Sequence, residues 1–128
     1  MRQAGMIAAG ALYALDHHIQ RLAEDHANAK RLGDAVPSIP GLRLIGPVDT
    51  NIVIFEVGPE LGTAVEFAAR LHRHGVLMLA IAPQRIRAVT HLDVDEADTE
   101  RAIEALGVAV DESRAKAPLG KFESSTYA

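Results

Sequence analysis

Asn51-Ile-Val-Ile-Phe-Glu-Val57 is β-branched and apolar on both faces. Such a run needs cover on its faces and a neighbour on each edge, which makes it a central strand. Asp49-Thr50-Asn51 turns into it and Gly58-Pro59 closes it. A chain of 128 residues is long enough to build one core around that strand.

The flanking segments supply the neighbours. Leu42-Arg-Leu-Ile45 alternates as a short strand and stops at Gly46-Pro47. Thr63-Ala-Val-Glu66 is a capping-box pattern that opens a helix with Val65, Ala68 and Leu71 on one stripe, and Gly75 suits its C-terminal end. Val76–Ile81 reads as a third strand, Pro83-Gln84 as a tight turn and Arg85–Thr90 as a fourth strand. Asp95-Glu-Ala-Asp98 caps a last helix running to about Lys116, with Thr99, Ile103, Leu106 and Val110 inward.

Two helices come first. Residues 4–16 are apolar and small nearly all round, so the helix is expected to be buried against a large neighbour. Too short to span a bilayer, which needs about 20 residues, they also run straight into a polar helical pattern without a clear leader-cleavage site. His17 to about Val36 forms the second helix, with Ile19, Leu22, His26, Ala29, Leu32 and Val36 at three- and four-residue steps.

The order is ααββαββα, an α+β fold. A right-handed crossover through the third helix places strand three parallel to strand two. Strand four then inserts between them, antiparallel to both, which predicts a small four-stranded sheet of order 1-2-4-3 with helices three and four on one face. Residues 1–36 are expected to be linking and interface helices, 37–116 the small α/β sandwich, and 117–128 a loose tail.

Composition removes several functions. A net charge of −4 argues against nucleic acid, and the absence of cysteine excludes disulfides and thiolate metal sites. Six histidines are present. His17 and His18 are adjacent, His72 and His74 are two apart, and none has the i, i+4 partner of a helical zinc site. No metal site is expected. No nucleophile elbow, Walker loop or dinucleotide fingerprint occurs, and no lysine sits where burial would lower its pKa.

Arg85-Ile-Arg-Ala-Val-Thr-His-Leu-Asp-Val94 carries the best functional candidate. Arg85, Arg87 and Val89 share one face of the fourth strand; Ile86, Ala88 and Thr90 share the other. Arg85 can reach water at the strand edge. Arg87 lies one pair deeper, where a guanidinium is costly without an anion and its planar fork suits a carboxylate or phosphate. A structural salt bridge to Glu56 or Asp93 is an equally good reading of the spacing. Thr90 and His91 are expected to bond the turn backbone.

Met1-Arg-Gln-Ala-Gly5 and Arg85–Val94, in that order, resemble the low-specificity L-threonine aldolases, pyridoxal-phosphate enzymes of the aspartate-aminotransferase fold type. Leu22-Ala-Glu-Asp-His-Ala-Asn-Ala-Lys30 and the Thr50-Asn51 turn are similar too, so the resemblance covers roughly residues 1–112. It implies the C-terminal small domain of such an enzyme, with the cofactor domain upstream. The Schiff-base lysine, the group stacking on the cofactor ring and most phosphate ligands would lie in that domain. No catalytic residue and no bound pyridoxal 5'-phosphate are expected of this chain alone.

The resemblance makes Arg87 the substrate-binding arginine, gripping the α-carboxylate so that the bond to be broken is correctly oriented. It places Arg2 near the cofactor. The complete enzyme would be a cytoplasmic homo-oligomer, dimer or tetramer, cleaving β-hydroxy-α-amino acids to glycine and an aldehyde. The alternative is a stand-alone ferredoxin-like module that binds a small molecule or regulates. The first helix separates the two readings, because a free-standing module does not expose a dozen apolar residues.

Overall fold

A computed structural model describes residues 4–117. The expected tail from 118 onward and Arg2 lie outside the described residues. The elements are α1 (Ala4–His17), α2 (Leu22–Ala35), β1 (Leu42–Leu44), β2 (Ile52–Val57), α3 (Ala64–Arg73), β3 (Leu79–Ala82), β4 (Arg85–Val89) and α4 (Glu96–Arg114). Short 3-10 turns at Val36–Ser38 and Pro59–Leu61, each with a proline in its first turn, follow α2 and β2.

The strands form one sheet of order β1-β2-β4-β3 with every neighbouring pair antiparallel. The insertion of β4 between β2 and β3 is the arrangement expected from the crossover through α3. One face of the sheet is covered. Val53, Phe55 and Val57 of β2 and Ile86 and Ala88 of β4 point into a core completed by Ala29, Leu32 and Val36 beside α2, Phe67 and Leu71 from α3, and Leu106, Ala109 and Val110 from α4. Each fully buried aliphatic or aromatic side chain contributes about 1.5–3 kcal/mol.

Both capping boxes form. The Thr63 backbone N–H donates to Glu66 Oε2 at 2.8 Å, and the Glu66 N–H donates to Thr63 Oγ1 at 3.3 Å. Asp95 and Asp98 repeat the exchange at 3.1 and 2.8 Å. Gly75, at φ +78°, ends α3: its N–H bonds to the His72 carbonyl and the Val76 N–H to the Leu71 carbonyl. This is the paired closure that favours glycine.

Four details depart from the sequence reading. The first helix runs to His17, and the second begins only at Leu22. Residues 16–19, Asp-His-His-Ile, are all weak helix formers, and the break at 18–21 begins among them. The inward stripe of α2 is Asp25, Asn28, Ala29, Leu32 and Gly33, while His26 and Leu22 face outward. Polar groups with partners across the fold have displaced apolar ones without. In α3 the stripe is Ala64, Phe67 and Leu71, and Val65 is 61% exposed. Strand three starts at Leu79, three residues later than expected, because Val76–Met78 peel away from β4.

The largest departure is α1. It was expected to be buried, and all fourteen of its residues are exposed, Met6, Ile7, Leu12 and Leu15 among them. No core residue comes from α1. At its end the Tyr13 ring stacks on His17 at 4.1 Å.

Candidate functional site

The sheet's second face carries the candidate. The register sets Ile54, Arg87 and Leu79 side by side across β2, β4 and β3. One row along lie Arg43, Glu56 and Arg85, and on the other side lie Ile52 and Val89. Ile52, Leu79, Ile81 and Val89 are all exposed. Arg87 therefore stands mid-sheet among apolar side chains on a face that no described element covers.

Arg87 is exposed, and its side chain makes no hydrogen bond or ion pair with any described residue. Neither structural salt bridge forms. Glu56 is taken by Arg43 at 2.6 Å. Asp93 lies 3.8 Å from His91 with its side chain 85% exposed. The guanidinium is not buried here, so the cost argued from the sequence falls away in this chain. What remains is an unengaged five-donor fork within an apolar surface, suited to a carboxylate or phosphate.

Turn residues around Arg87 divide. His91 behaves as expected: its Nδ1 accepts from the Asp93 N–H at 3.3 Å. Thr90 does not bond the local turn. Its hydroxyl donates to the Asp25 carbonyl on α2 at 2.7 Å, and its N–H donates to the Asn51 carbonyl at 3.0 Å. Asn51 Nδ2 returns a bond to the Thr90 carbonyl at 2.7 Å. Five residues beyond the strand's end, the Val94 carbonyl accepts from Asn28 Nδ2 at 3.1 Å. The strand's alternation held the signal, since it set the Thr90 hydroxyl on the covered face, where it needs a partner.

A cleft of about 320 Å³ opens beside β4, between Val76–Met78 and Ala88–His91, with Asp98, Thr99 and Arg101 of α4 along its floor. Its polar rim is internally paired: Asp98 with Arg101, and His74 with Glu112 at 3.1 Å. Burial pushes the Glu112 carboxyl up, but hydrogen bonds from His74 and Arg73 outweigh it and hold the group below its ordinary value. The Thr63 N–H lowers Glu66, and the Asp95 N–H lowers Asp98.

Arg70 went unnoticed in the sequence. It is 7% exposed and reaches the Glu66 carbonyl at 3.3 Å and the Ala117 carbonyl at 3.2 Å. It ties α3 to the end of α4. Among the described residues no group of three His, Asp or Glu side chains could hold a metal ion. No helix of the described residues is long and apolar enough to cross a membrane.

Comparison with known proteins places this geometry in a family. Residues 1–59 match the model of the beta-eliminating lyases. The chain is 36% identical over 103 residues to a probable low-specificity L-threonine aldolase 2 of Arabidopsis thaliana, covering 78% of this chain and 29% of the relative. It is 35% identical over 94 residues to the low specificity L-threonine aldolase of Escherichia coli, covering 73% and 26%. The chain thus spans less than a third of the curated relatives it matches.

The fold is shared with two solved structures. An omega-transaminase from Thermomicrobium roseum superposes with a TM-score of 0.63 at 21% identity, over 80% of this chain and 26% of the other. A glutamate decarboxylase from Lactobacillus brevis gives 0.61 at 17% identity, over 72% and 23%. By sequence, then, this chain is similar to part of the low-specificity L-threonine aldolases and matches the beta-eliminating lyase model over residues 1–59, and its sandwich shares the fold of parts of both solved structures.

Proposed function

We propose that this chain supplies the small domain of a pyridoxal-phosphate-dependent, threonine-aldolase-like lyase, with Arg87 binding the α-carboxylate of a β-hydroxy-α-amino acid. The observation that carries the reading is the unengaged Arg87 at the centre of an uncovered, largely apolar sheet face, in a chain related to threonine aldolases. A carboxylate held by a planar fork cannot rotate freely, so the substrate's Cα bonds keep one orientation.

The cofactor would supply the electron sink. The described residues do not form its cradle. Lys30 is exposed and paired with Asp34 at 3.0 Å, and Lys116 is exposed beyond the end of α4. Neither amine is desolvated as a Schiff-base lysine must be. The part of the described residues is substrate binding, and the cofactor-holding residues belong to an N-terminal domain packed on the open sheet face and on α1. Residues 1–36 link and face that domain, residues 37–116 form the small sandwich, and Arg2 lies near the cofactor. The assembled enzyme is a cytoplasmic homo-oligomer. The wholly exposed α1 supports this over a free-standing module, since an apolar helix with no cover marks an interface.

The test combines this chain with the pyridoxal-phosphate domain of a threonine aldolase and measures glycine release from L-threonine. Arg87→Lys, which keeps the charge but loses the fork, is expected to raise KM about tenfold or more. An unchanged KM would remove Arg87 from the site. The chain alone, mixed with the cofactor, is expected to give neither an aldimine absorbance nor glycine. Turnover by the chain alone would overturn the two-part reading.

A further inference from the structure

β4 is held unevenly. On one edge it pairs with β2 along its whole length, from Glu56↔Arg85 to Ile52↔Val89. On the other edge β3 reaches only as far as Leu79, opposite Arg87. Beyond that point Val76–Met78 diverge, and the 320 Å³ cleft separates them from Ala88–His91. The strand end just beyond Arg87, Ala88–Val89, thus has a neighbour on one side only, and a strand end so placed frays readily.

Thr90 follows that end and anchors it. It is 4% exposed, and all its polar groups are engaged: the N–H and carbonyl with Asn51, the hydroxyl with the Asp25 carbonyl. The Asp25 carboxylate, itself buried, is gripped by both terminal nitrogens of Arg21 at 3.2 and 3.4 Å. Arg21 closes the turn between α1 and α2. A continuous polar chain therefore runs from the α1–α2 turn through Asp25 and Thr90 to a point three residues from Arg87.

We propose that Thr90, with Asn51 and Asp25 as its partners, is the positioning residue of the Arg87 site. It fixes the free-edged end of β4 to α2, so that the guanidinium is presented at one height above the open sheet face. The role rests on Arg87 being the carboxylate-binding residue. Thr90 touches no substrate and acts only through the strand.

The first measurement needs only this chain. Backbone and Arg87 Nε–Hε nitrogen-15 relaxation is compared in the parent, Thr90→Val and Thr90→Ser proteins. Order parameters over residues 87–91 are expected near 0.85 in the parent and below about 0.6 in Thr90→Val, the usual rigid and flexible values. Thr90→Ser, which keeps the hydroxyl, is expected to restore them. Asn51→Ala, which deletes only one bond to the Thr90 carbonyl, serves if Thr90→Val does not fold. A strand that stays rigid in both Thr90→Val and Asn51→Ala overturns the proposal.

The second measurement uses the assembled lyase described above. Thr90→Val is expected to raise KM for threonine by about tenfold, as misplacement remote from the chemistry does, with kcat per active site moving less. Thr90→Ser is expected to rescue KM. A KM unchanged by Thr90→Val, alongside one raised by Arg87→Lys, overturns the positioning role and leaves the Arg87 reading intact. Failure of the Arg87 reading has a different signature: Arg87→Lys leaves KM unchanged while Thr90→Val still loosens the strand.

Discussion

The two faces of the sheet are made by alternate residues of the same strands, yet they answer to different demands. On the covered face, Val53, Phe55, Val57, Ile86 and Ala88 meet partners from α2, α3 and α4 and lose nearly all contact with water. On the open face, Ile52, Leu79 and Val89 are exposed and Ile54 is half-buried around Arg87. Stability alone explains the first face. It does not explain an arginine ringed by β-branched and aliphatic side chains. Period-2 alternation therefore separates what this chain needs in order to fold from what it presents to something else.

The sharpest way to break that distinction is to truncate one side chain on each face. Phe55→Ala removes a fully buried ring from the middle of the core. It is expected to cost about 3–5 kcal/mol, read as a fall in the urea midpoint. Ile52→Ala, on the neighbouring open face, is expected to cost well under half of that. Equal costs would mean that the open face is also packed, and the division would fail.

A middle-sized effect probes how the covered face is closed. Thr63→Ala deletes the hydroxyl that accepts the Glu66 N–H at the start of α3. It is expected to cost about 1 kcal/mol, with Thr63→Ser close to the parent. The loss reaches the sheet only through α3, so amide protection is expected to fall on the covered side and not at Ile52 or Val89.

Acid gives a smaller and graded version of the same test. Glu112 on α4 accepts from Arg73 at 2.6 Å and from His74 at the end of α3, and these bonds hold its carboxyl below 4.5 despite burial. A depressed folded pKa means that the unfolded chain takes up the proton first. The stabilisation is therefore present above about 4.5 and is lost as pH falls through the lower folded value. Glu112→Gln is expected to lower stability at neutral pH, where the ion pair is intact, and to flatten its fall in that window. Denaturant midpoints between pH 3 and 7 check this.

Much of the fold was legible because it rests on local signals. Both capping boxes, the Gly75 closure and the β1-β2-β4-β3 order follow from spacing and from the handedness of a crossover. The errors lie where distant partners decide. Apolar periodicity turned His26 inward on α2, whereas the fold turned Asp25 and Asn28 inward, where Arg21 holds the Asp25 carboxylate and the Val94 carbonyl accepts from Asn28. Val65 and the early part of strand three were misplaced for a related reason. An apolar residue at a helix start or beside a peeling strand has no local feature that says whether it meets the core. Arg87 was legible as a cation seeking an anion. That it meets no anion among the described residues follows from the fold, where Arg43 holds Glu56.

The smallest effect on folding tests the comparison most severely. Arg87→Lys alters a side chain with no partner among the described residues, on a face that nothing covers. It is expected to shift stability by no more than about 0.5 kcal/mol, as surface changes do. Leu79→Ser, its neighbour across β3, is expected to do little more, since Leu79 is 54% exposed. If Arg87 were instead a structural residue, its replacement would cost what a broken ion pair or a lost packing contact costs, and the midpoint would move. A residue that folding does not require, set where five N–H donors face outward from an apolar ring, is one whose identity is fixed by what binds it. Near-neutrality in denaturation, together with a raised KM in the assembled lyase, would locate the purpose of Arg87 wholly on the open face.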